Sequence, residues 1–467
     1  IFLSNTPSWF NEKLRILKTI KKKLKYKKGV LFIEHHMAHA AGSFFPSPFK
    51  KSAIITLDGV GEWTTGSWGY GVGNKLYPQA EIRFPHSVGL LYSTFTAFLG
   101  FEVNDGEYKV MGMAGYGKPK YISKVKKLYT QFKDGSIKLN LEYFSFHRSS
   151  KRMYSDKFVR EFRGLEGGEK FNLAASLQKC TEEIVLNMLE VIYKQTGQKN
   201  LVYGGGVALN SVLNGKITQK TPFKDLFIFP AAGDDGGAIG TALYVYHHVL
   251  GNKKRVPLNN VFLGKEFSIS NFKFPNGNFK IQKLKKAKLV DYISGKLTEG
   301  KVVGWFEGRA EFGPRALGHR SILADPRNPK MKDIVNSKIK FREEFRPFAP
   351  VVLEEFADKY FYVTSDNLAP FMLGTFRAKS ITKKVAPSIV HIDGTSRIQT
   401  IPKASLGNYR KLVEAFYKKT GVPILLNTSF NLKGEPIVNS PEDALNTFYR
   451  SGIDILVLEN YLIEKNN

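Results

Sequence analysis

Two stretches of this chain repeat one plan, and that plan limits the folds open to it. "LVYGGGVALN" (201–210) and "LFIFPAAGDDGGAIGTALYVY" (226–246) each run from a short apolar segment through a glycine turn into a helical pattern. The apolar segment reads as a buried strand, and glycines at its end let the backbone turn sharply into a helix. Strand-like runs alternate with helical ones along the rest of the chain, which predicts an α/β fold. "GVLFI" (29–33) reads as a buried strand ahead of a helix starting near "HHMAHAAGSFF". "SAIITLDGVGEWTTGSWGYG" (52–71) reads as a hairpin whose tip carries Asp58. "NLAASLQKCTEEIVLNMLEVIYKQTG" (172–197) reads as a long amphipathic helix closed by Gly197.

Periodicity fails between 251 and 280, where Asn, Gly, Pro and Lys dominate. The spacing predicts a first domain over 1–260, a linker over 261–280 and a second α/β domain over 281–467, opening with "KVVGWFEG". With 467 residues the chain is long enough for two cores. No run of about 18 apolar residues is present to span a membrane. Cys180 is the only cysteine, which excludes an internal disulfide and any cysteine-based zinc site. A cytoplasmic location fits these features. The chain opens on Ile1, which points to a missing N-terminal piece.

Charge is informative only in its distribution. The net charge is +29, yet 53 of the 70 basic residues are lysines, and clusters such as Lys21, Lys22 and Lys23 read as solvated faces. Six of the 17 arginines fall between residues 309 and 346: Arg309, Arg315, Arg320, Arg327, Arg342 and Arg346. Arginine presents a planar fork of donors suited to phosphate and carboxylate, so this clustering points to an anion pocket. Lys340, Arg397 and the "NTS" residues Asn427, Thr428 and Ser429 extend it, at the ends of expected strands. The plainer alternative is that some of these arginines, notably Arg320 and Arg327, make structural ion pairs with Asp325 or neighbouring acids.

Two further patterns carry chemistry. His35 and His39 are four apart, so on a helix their rings share one face, the spacing by which two imidazoles grip one metal. A pair of ordinary helix histidines is the competing reading. His36 points elsewhere, toward a supporting or acceptor-side role. A two-histidine site needs a third ligand, and Asp234 and Asp235 on "GDDGG" are the rival candidates. Iron(II) or another divalent cation suits such a set. The glycine turns put forward Asp58, Gly59, Gly204, Gly205, Gly206, Asn210 and Gly233 as phosphate or nucleotide contacts, because glycine lets backbone N–H groups approach an anion. None is a Walker A loop.

In order, "EHHMAHAAGSFFPSPF", "LDGVGEWTTG", "GEYKVMGMAGYG", "GGGVALN", "PAAGDDGGAIG", "GRAEFGPRALGHRSILADPR", "KFREEFRPFAPVV", "HIDGTSRIQT" and "LNTSFNLKGEPIV" carry a resemblance. Nearly the whole chain resembles the O-carbamoyltransferase family of nodulation-factor and antibiotic biosynthesis. The resemblance implies an actin-like ATPase domain followed by a YrdC-like α/β domain. It implies a metal, iron(II) first, on His35, His39 and Asp234. It maps the catalytic set of the second domain onto Arg315, Lys340, Arg346 and Arg397, with Arg309, Arg342, Asn427, Thr428 and Ser429 around the nucleotide. Carbamoyl phosphate and Mg-ATP would give carbamoyl adenylate, and the carbamoyl group would pass to a hydroxyl of a small-molecule, sugar or polysaccharide acceptor. Members carry roughly 80 to 100 further N-terminal residues, which fits the open start seen here. A tRNA-modifying enzyme of the threonylcarbamoyl type is the alternative function, and a catalytically silent sugar- or nucleotide-binding protein a third. Diffuse lysine without an aromatic-interleaved basic patch speaks against nucleic acid, and a homodimer is compatible with the sequence.

Overall fold

The computed structural model describes residues 6–149, 151–270, 272–274, 279–343, 345–405 and 407–466. It is a mixed α/β chain divided into two compact units. The first comprises residues 1–209, 221–224 and 232–256, the second residues 210–220, 225–231 and 257–467. Among the described residues no helix is long and apolar enough to cross a membrane.

In the first unit, β1 (Lys51–Gly61), β2 (Thr64–Val72) and β3 (Lys75–Arg83) form an antiparallel meander. β4 (Asn200–Gly204) joins β1 in parallel, with Ala53 opposite Leu201 and Thr56 opposite Gly204. The strand order is therefore β3-β2-β1-β4. The helices of this unit include α1 (His35–Phe44), α2 (Val88–Phe98), α3 (Lys170–Thr196) and α4 (Gly237–Leu243). Ser87 caps α2 by accepting the Leu90 N–H at 3.0 Å. Gly197 ends α3 in the left-handed conformation, its N–H returning to the Tyr193 carbonyl.

α1 and α4 pack at unusually close range. A Cβ on Gly240 would lie 2.0 Å from the Ala38 carbonyl oxygen, so only glycine permits this contact. The approach brings the turn before α4, with Asp234, up to the histidine face of α1. Arg255 fixes the other end of α1: its guanidinium donates to the carbonyls of Phe44, Phe45, Ser47 and Phe49. A cation there also suits the negative end of the helix dipole.

The second unit holds an eight-stranded sheet among its described residues, built from β5 (Phe279–Lys283), β6 (Val303–Phe306), β7 (Arg320–Ala324), β8 (Ala349–Leu353), β9 (Gln399–Ile401), β10 (Ile424–Ser429), β11 (Ile455–Leu458) and β12 (Tyr461–Lys465). Their order is β9-β8-β10-β7-β6-β11-β12-β5. Every residue of β6, β7, β8 and β11 is buried. That explains why β6, β8 and β11 read as continuous apolar runs rather than alternating ones, while β7 buries Arg320 and Ser321 along with its apolar residues. Helices α5 (Lys286–Thr298) and α6 (Asn408–Thr420) pack against one another.

Two local expectations are corrected. The segment 29–33 is not a buried strand: Leu31 and Phe32 are exposed and no strand among the described residues pairs with it. Asp58 is not at the hairpin tip, because β1 continues three residues beyond it and the turn falls at Glu62 and Trp63. An irregularity in the β1–β2 register between Leu57 and Gly61 accommodates the extra length.

Candidate functional site

Helix α1 starts at His35, and its four-residue repeat sets the rings of His35 and His39 on one face with their centroids 4.5 Å apart. Their Nε2 atoms are 2.9 Å apart. Asp58 reaches both from β1, with Oδ2 at 3.1 Å from His35 Nε2 and 3.0 Å from His39 Nε2. Asp234 Oδ1 closes the group from the turn before α4, at 3.3 and 3.7 Å. These four ligand atoms all lie within 4.8 Å of one another. Of the two rival aspartates, Asp234 and not Asp235 is in the group.

The sequence suggests a phosphate-binding glycine turn around Asp58 and does not connect it with the histidines. The glycine turns instead hold its carboxylate. Oδ1 accepts N–H bonds from Gly59 at 2.7 Å and Gly206 at 3.4 Å, which leaves Oδ2 for the histidines. Gly205 makes this possible at a φ of +87°, where a Cβ would sit 2.2 Å from the Leu57 carbonyl oxygen. Gly204 ends β4, Gly233 precedes the turn carrying Asp234, and Asn210 caps the helix Ser211–Lys220 by accepting the Leu213 N–H. His36 turns away from the group. Its Nδ1 meets Thr56 Oγ1 at 2.6 Å, and burial, then the charges of His39 and His35, push it down to about 4.

Two imidazole nitrogens and two carboxylate oxygens facing one point fit a divalent cation. Ligand atoms each about 2.1 Å from a shared ion stand roughly 3.0–3.4 Å apart, and the separations here bracket that range. Without an ion, the carboxylates hold protons on the imidazoles. Hydrogen bonds donated to Asp234, then to Asp58, raise His35 from 6.5 to about 9. Burial opposes the same effect on His39, which is nonetheless raised by Asp234 and Asp58. Burial works to raise Asp58, but His35 and His39 hold it well below the usual carboxylate range, and Asp234 falls to about 2 for the same reason.

These shifts give the pH dependence a definite sign. In the metal-free protein the stability due to His35 is fully present below pH 6.5 and is lost as pH rises through about 9. A metal must displace that proton, so Mn²⁺ affinity measured by calorimetric titration is expected to climb by about tenfold per pH unit between pH 6.5 and 8.5 for each proton released. A flat profile would show that these imidazoles do not bind the ion.

In the second unit β10 joins three segments that carry cationic residues. Asn427 and Ser429 alternate on one face of that strand. Asn427 Nδ2 donates to the Ala316 carbonyl at 3.2 Å, next to Arg315, and to Gln399 Oε1 at 2.9 Å, two residues beyond Arg397. Gln399 in turn donates to the Leu317 carbonyl. Asn427 Oδ1 is buried and meets no donor among the described residues. Ser429 anchors Lys340, whose Nζ donates to Ser429 O at 2.5 Å, Ser429 Oγ at 3.2 Å, Asn431 O at 3.0 Å and Asn431 Oδ1 at 2.7 Å. The segments bearing Arg315, Arg397 and Lys340 thus meet on one strand. Thr428, between Asn427 and Ser429, pairs with Ile322 of β7.

Lys340 ends a wide turn, Asn336–Lys340, closed by the Phe341 N–H on the Asn336 carbonyl at 2.7 Å. Phe341 then takes a left-handed φ of 45° and is exposed, while the Lys340 side chain turns inward and is 3% exposed. Such wide turns recur at functional sites. Burial, then the charges of Arg342 and Arg346, push the ammonium well below its usual range. Among the described residues only neutral oxygens bind it. A buried cation in that setting is stabilised by an arriving anion.

The remaining arginines divide. Arg342 stacks on Phe348 at 4.4 Å and donates to Asn336 Oδ1, and Arg346 lies 3.3 Å from Glu343. Arg309 is exposed, with Nε on the Gly264 carbonyl at 2.9 Å. Arg327 makes the expected pair with Asp325, at 2.7 Å. Arg320 does not: it is fully buried, 3.5 Å from the Phe306 ring centroid, and donates to the carbonyls of Glu307, Gly308 and His319. Sequence reasoning also misses Glu311, a lone carboxylate among glycines and arginines. Its Oε1 accepts the N–H groups of Leu317, His319 and Arg320, fixing the loop that presents Arg315.

Comparison with known proteins assigns the chain to a family. Family models described as carbamoyltransferase N-terminus and carbamoyltransferase C-terminus match residues 6–243 and 294–465. The chain belongs to the carbamoyltransferase family. This carbamoyltransferase is 42% identical to an uncharacterized protein of Synechocystis, over 99% of this chain and 82% of that one. It is 38% identical to nodulation protein NolNO of Sinorhizobium fredii, over 93% of this chain and 64% of the relative's length. A crystal structure of T. kodakarensis HypF aligns over 53% of this carbamoyltransferase and 40% of that chain, at 17% identity and a TM-score of 0.29, too low to carry any argument. The histidine–aspartate group falls within the N-terminal match, and Arg315, Lys340, Arg346, Arg397 and Ser429 within the C-terminal one.

Proposed function

We propose that the chain is an ATP-dependent O-carbamoyltransferase whose second unit forms carbamoyl adenylate and whose first unit delivers the carbamoyl group to a hydroxyl. The observation that carries this reading is Lys340, a buried amine held by neutral oxygens, whose charged form burial and then Arg342 and Arg346 disfavour and an arriving anion would restore. Carbamoyl phosphate and ATP repel one another, and a fixed set of cations offsets that repulsion while holding both in register. Arg315, Lys340, Arg346 and Arg397 take the phosphates in this reading, and Asn427, Thr428, Ser429, Arg309 and Arg342 the nucleotide. The unmatched Oδ1 of Asn427 suits the carbamoyl NH₂, a donor that phosphate lacks.

In the first unit His35, His39, Asp58 and Asp234 would hold a divalent cation, iron(II) first by its taste for mixed histidine and carboxylate ligands. When bound, it supplies Lewis-acid polarisation of an oxygen at the reacting centre. The chain's own contribution is to fix the donor atoms: Gly59 and Gly206 orient Asp58, and the contact of α1 with α4 brings up Asp234. An actin-like ATPase arrangement of the first unit and a YrdC-like arrangement of the second belong to the same reading.

Atom balance gives the test. Converting carbamoyl phosphate and ATP into carbamoyl adenylate consumes one water and releases phosphate and pyrophosphate, and attack by an acceptor hydroxyl releases AMP. The expected result is pyrophosphate release from ATP that requires carbamoyl phosphate and matches phosphate release in amount. Equal pyrophosphate release without carbamoyl phosphate would overturn the reading.

A further inference from the structure

Trp63 is a large aromatic of the first unit that neither core nor metal group uses. It is 57% exposed, whereas Trp68 and Trp305 are buried. A singly exposed hydrophobic is ordinary on a protein surface, so it is the placement of Trp63 that singles it out. The ring is also held in place. The Trp63 carbonyl accepts the Phe84 N–H at 2.8 Å, and the indole meets the Phe84 ring edge-on at 6.5 Å. Phe84 is itself packed against Phe146.

Its position in the chain ties it to the histidine–aspartate group. The run Asp58–Gly59–Val60–Gly61–Glu62–Trp63 begins at a carboxylate that touches both imidazoles. Gly61 lies directly against His35: a Cβ there would be 2.1 Å from His35 Cδ2. Trp63 is two residues further, so its Cα is within about 7 Å of that of Gly61. Glu62 precedes it at the turn, and Thr64, the residue after it, donates to Glu81, whose carboxylate Arg83 also holds, at 2.7 and 2.6 Å.

We propose that Trp63 is the acceptor platform: it stacks on the C–H face of a saturated, hydroxyl-bearing ring of the pyranoside class while one hydroxyl of that ring is offered to the histidine–aspartate group. This rests on the hydroxyl-directed transfer proposed for the first unit and adds what selects the acceptor. An indole presents a flat, electron-rich face that pairs with the aligned C–H bonds of such a ring. A linear polyol has the hydroxyls but no such face.

The experiment uses the full chain and the methyl pyranosides of glucose, mannose, galactose and N-acetylglucosamine, with sorbitol as the linear comparison. Binding is followed by saturation-transfer NMR, and melting temperature reports that each variant is folded. The expected result is that at least one pyranoside binds with saturation confined to the C–H protons of one ring face, and that sorbitol does not. Trp63→Ala is expected to weaken that binding by about tenfold or more, and Trp63→Phe by less than about threefold. Binding of none of the four pyranosides, or equal affinity of the wild type and a folded Trp63→Ala, would overturn the proposal. Pyrophosphate release by the wild type reports separately on the underlying function, so the two failures are distinguishable.

Discussion

Replacing Lys340 with methionine is expected to lower carbamoyl-phosphate-dependent pyrophosphate release by about 10³-fold, the scale seen when one preorganised charge donor is removed from a dry site. Methionine keeps the apolar stem and removes the ammonium, so the variant isolates the charge. That charge is buried, bound to Ser429 and Asn431 through neutral oxygens, and pressed from outside by Arg342 and Arg346. An anion relieves that electrostatic load, so carbamoyl phosphate and ATP are also expected to raise the melting temperature of the wild type and not of the variant. Arg327→Ala is the contrast. Its guanidinium is committed to Asp325 at 2.7 Å, and its loss is expected to change pyrophosphate release by less than about threefold. Similar release by Lys340→Met and wild type would remove the second-unit site from the reaction.

Asp58→Asn is expected to reduce metal affinity and carbamoyl transfer by more than about 100-fold while changing pyrophosphate release by less than about threefold. The amide keeps the shape and the bonds from Gly59 and Gly206 but removes the charge that faces His35 and His39. His39→Ala is expected to act in the same direction. The measurement is Mn²⁺ titration together with transfer of labelled carbamoyl groups to an acceptor, run beside the pyrophosphate assay. A parallel loss of both half-reactions would mean that the histidine–aspartate group supports adenylation as well, contrary to a division of labour between the units.

The sites are legible in the sequence to different depths. His35 and His39 can be paired from spacing alone, because a helix of known pitch puts residues four apart on one face. Lys340, Arg342 and Arg346 stand out because arginine concentrates there in an otherwise lysine-rich chain. Asp58 reads as a nucleotide contact, because a carboxylate beside glycines resembles a phosphate turn and nothing local announces that β1 runs beneath α1. Arg320 and Arg315 occupy the same motif and look alike in sequence. Only the structure shows that the Arg320 guanidinium is spent on three backbone carbonyls, and that the segment carrying Arg315 is tied to Asn427 through the Ala316 carbonyl.

What the chain's order of residues determined by itself was local: helical faces, glycine turns, buried strands and the α/β alternation, all of which depend on neighbours within about a dozen positions. The segment 29–33 marks the limit of that information, since an apolar run becomes a strand only where another strand offers it hydrogen bonds. The tertiary structure decided the identity of the fourth donor at the histidines and the meeting of three cationic segments on β10. Those depend on residues far apart in sequence, on a helix contact that tolerates no Cβ at Gly240, and on burial that turns an ordinary lysine into a charge in need of an anion.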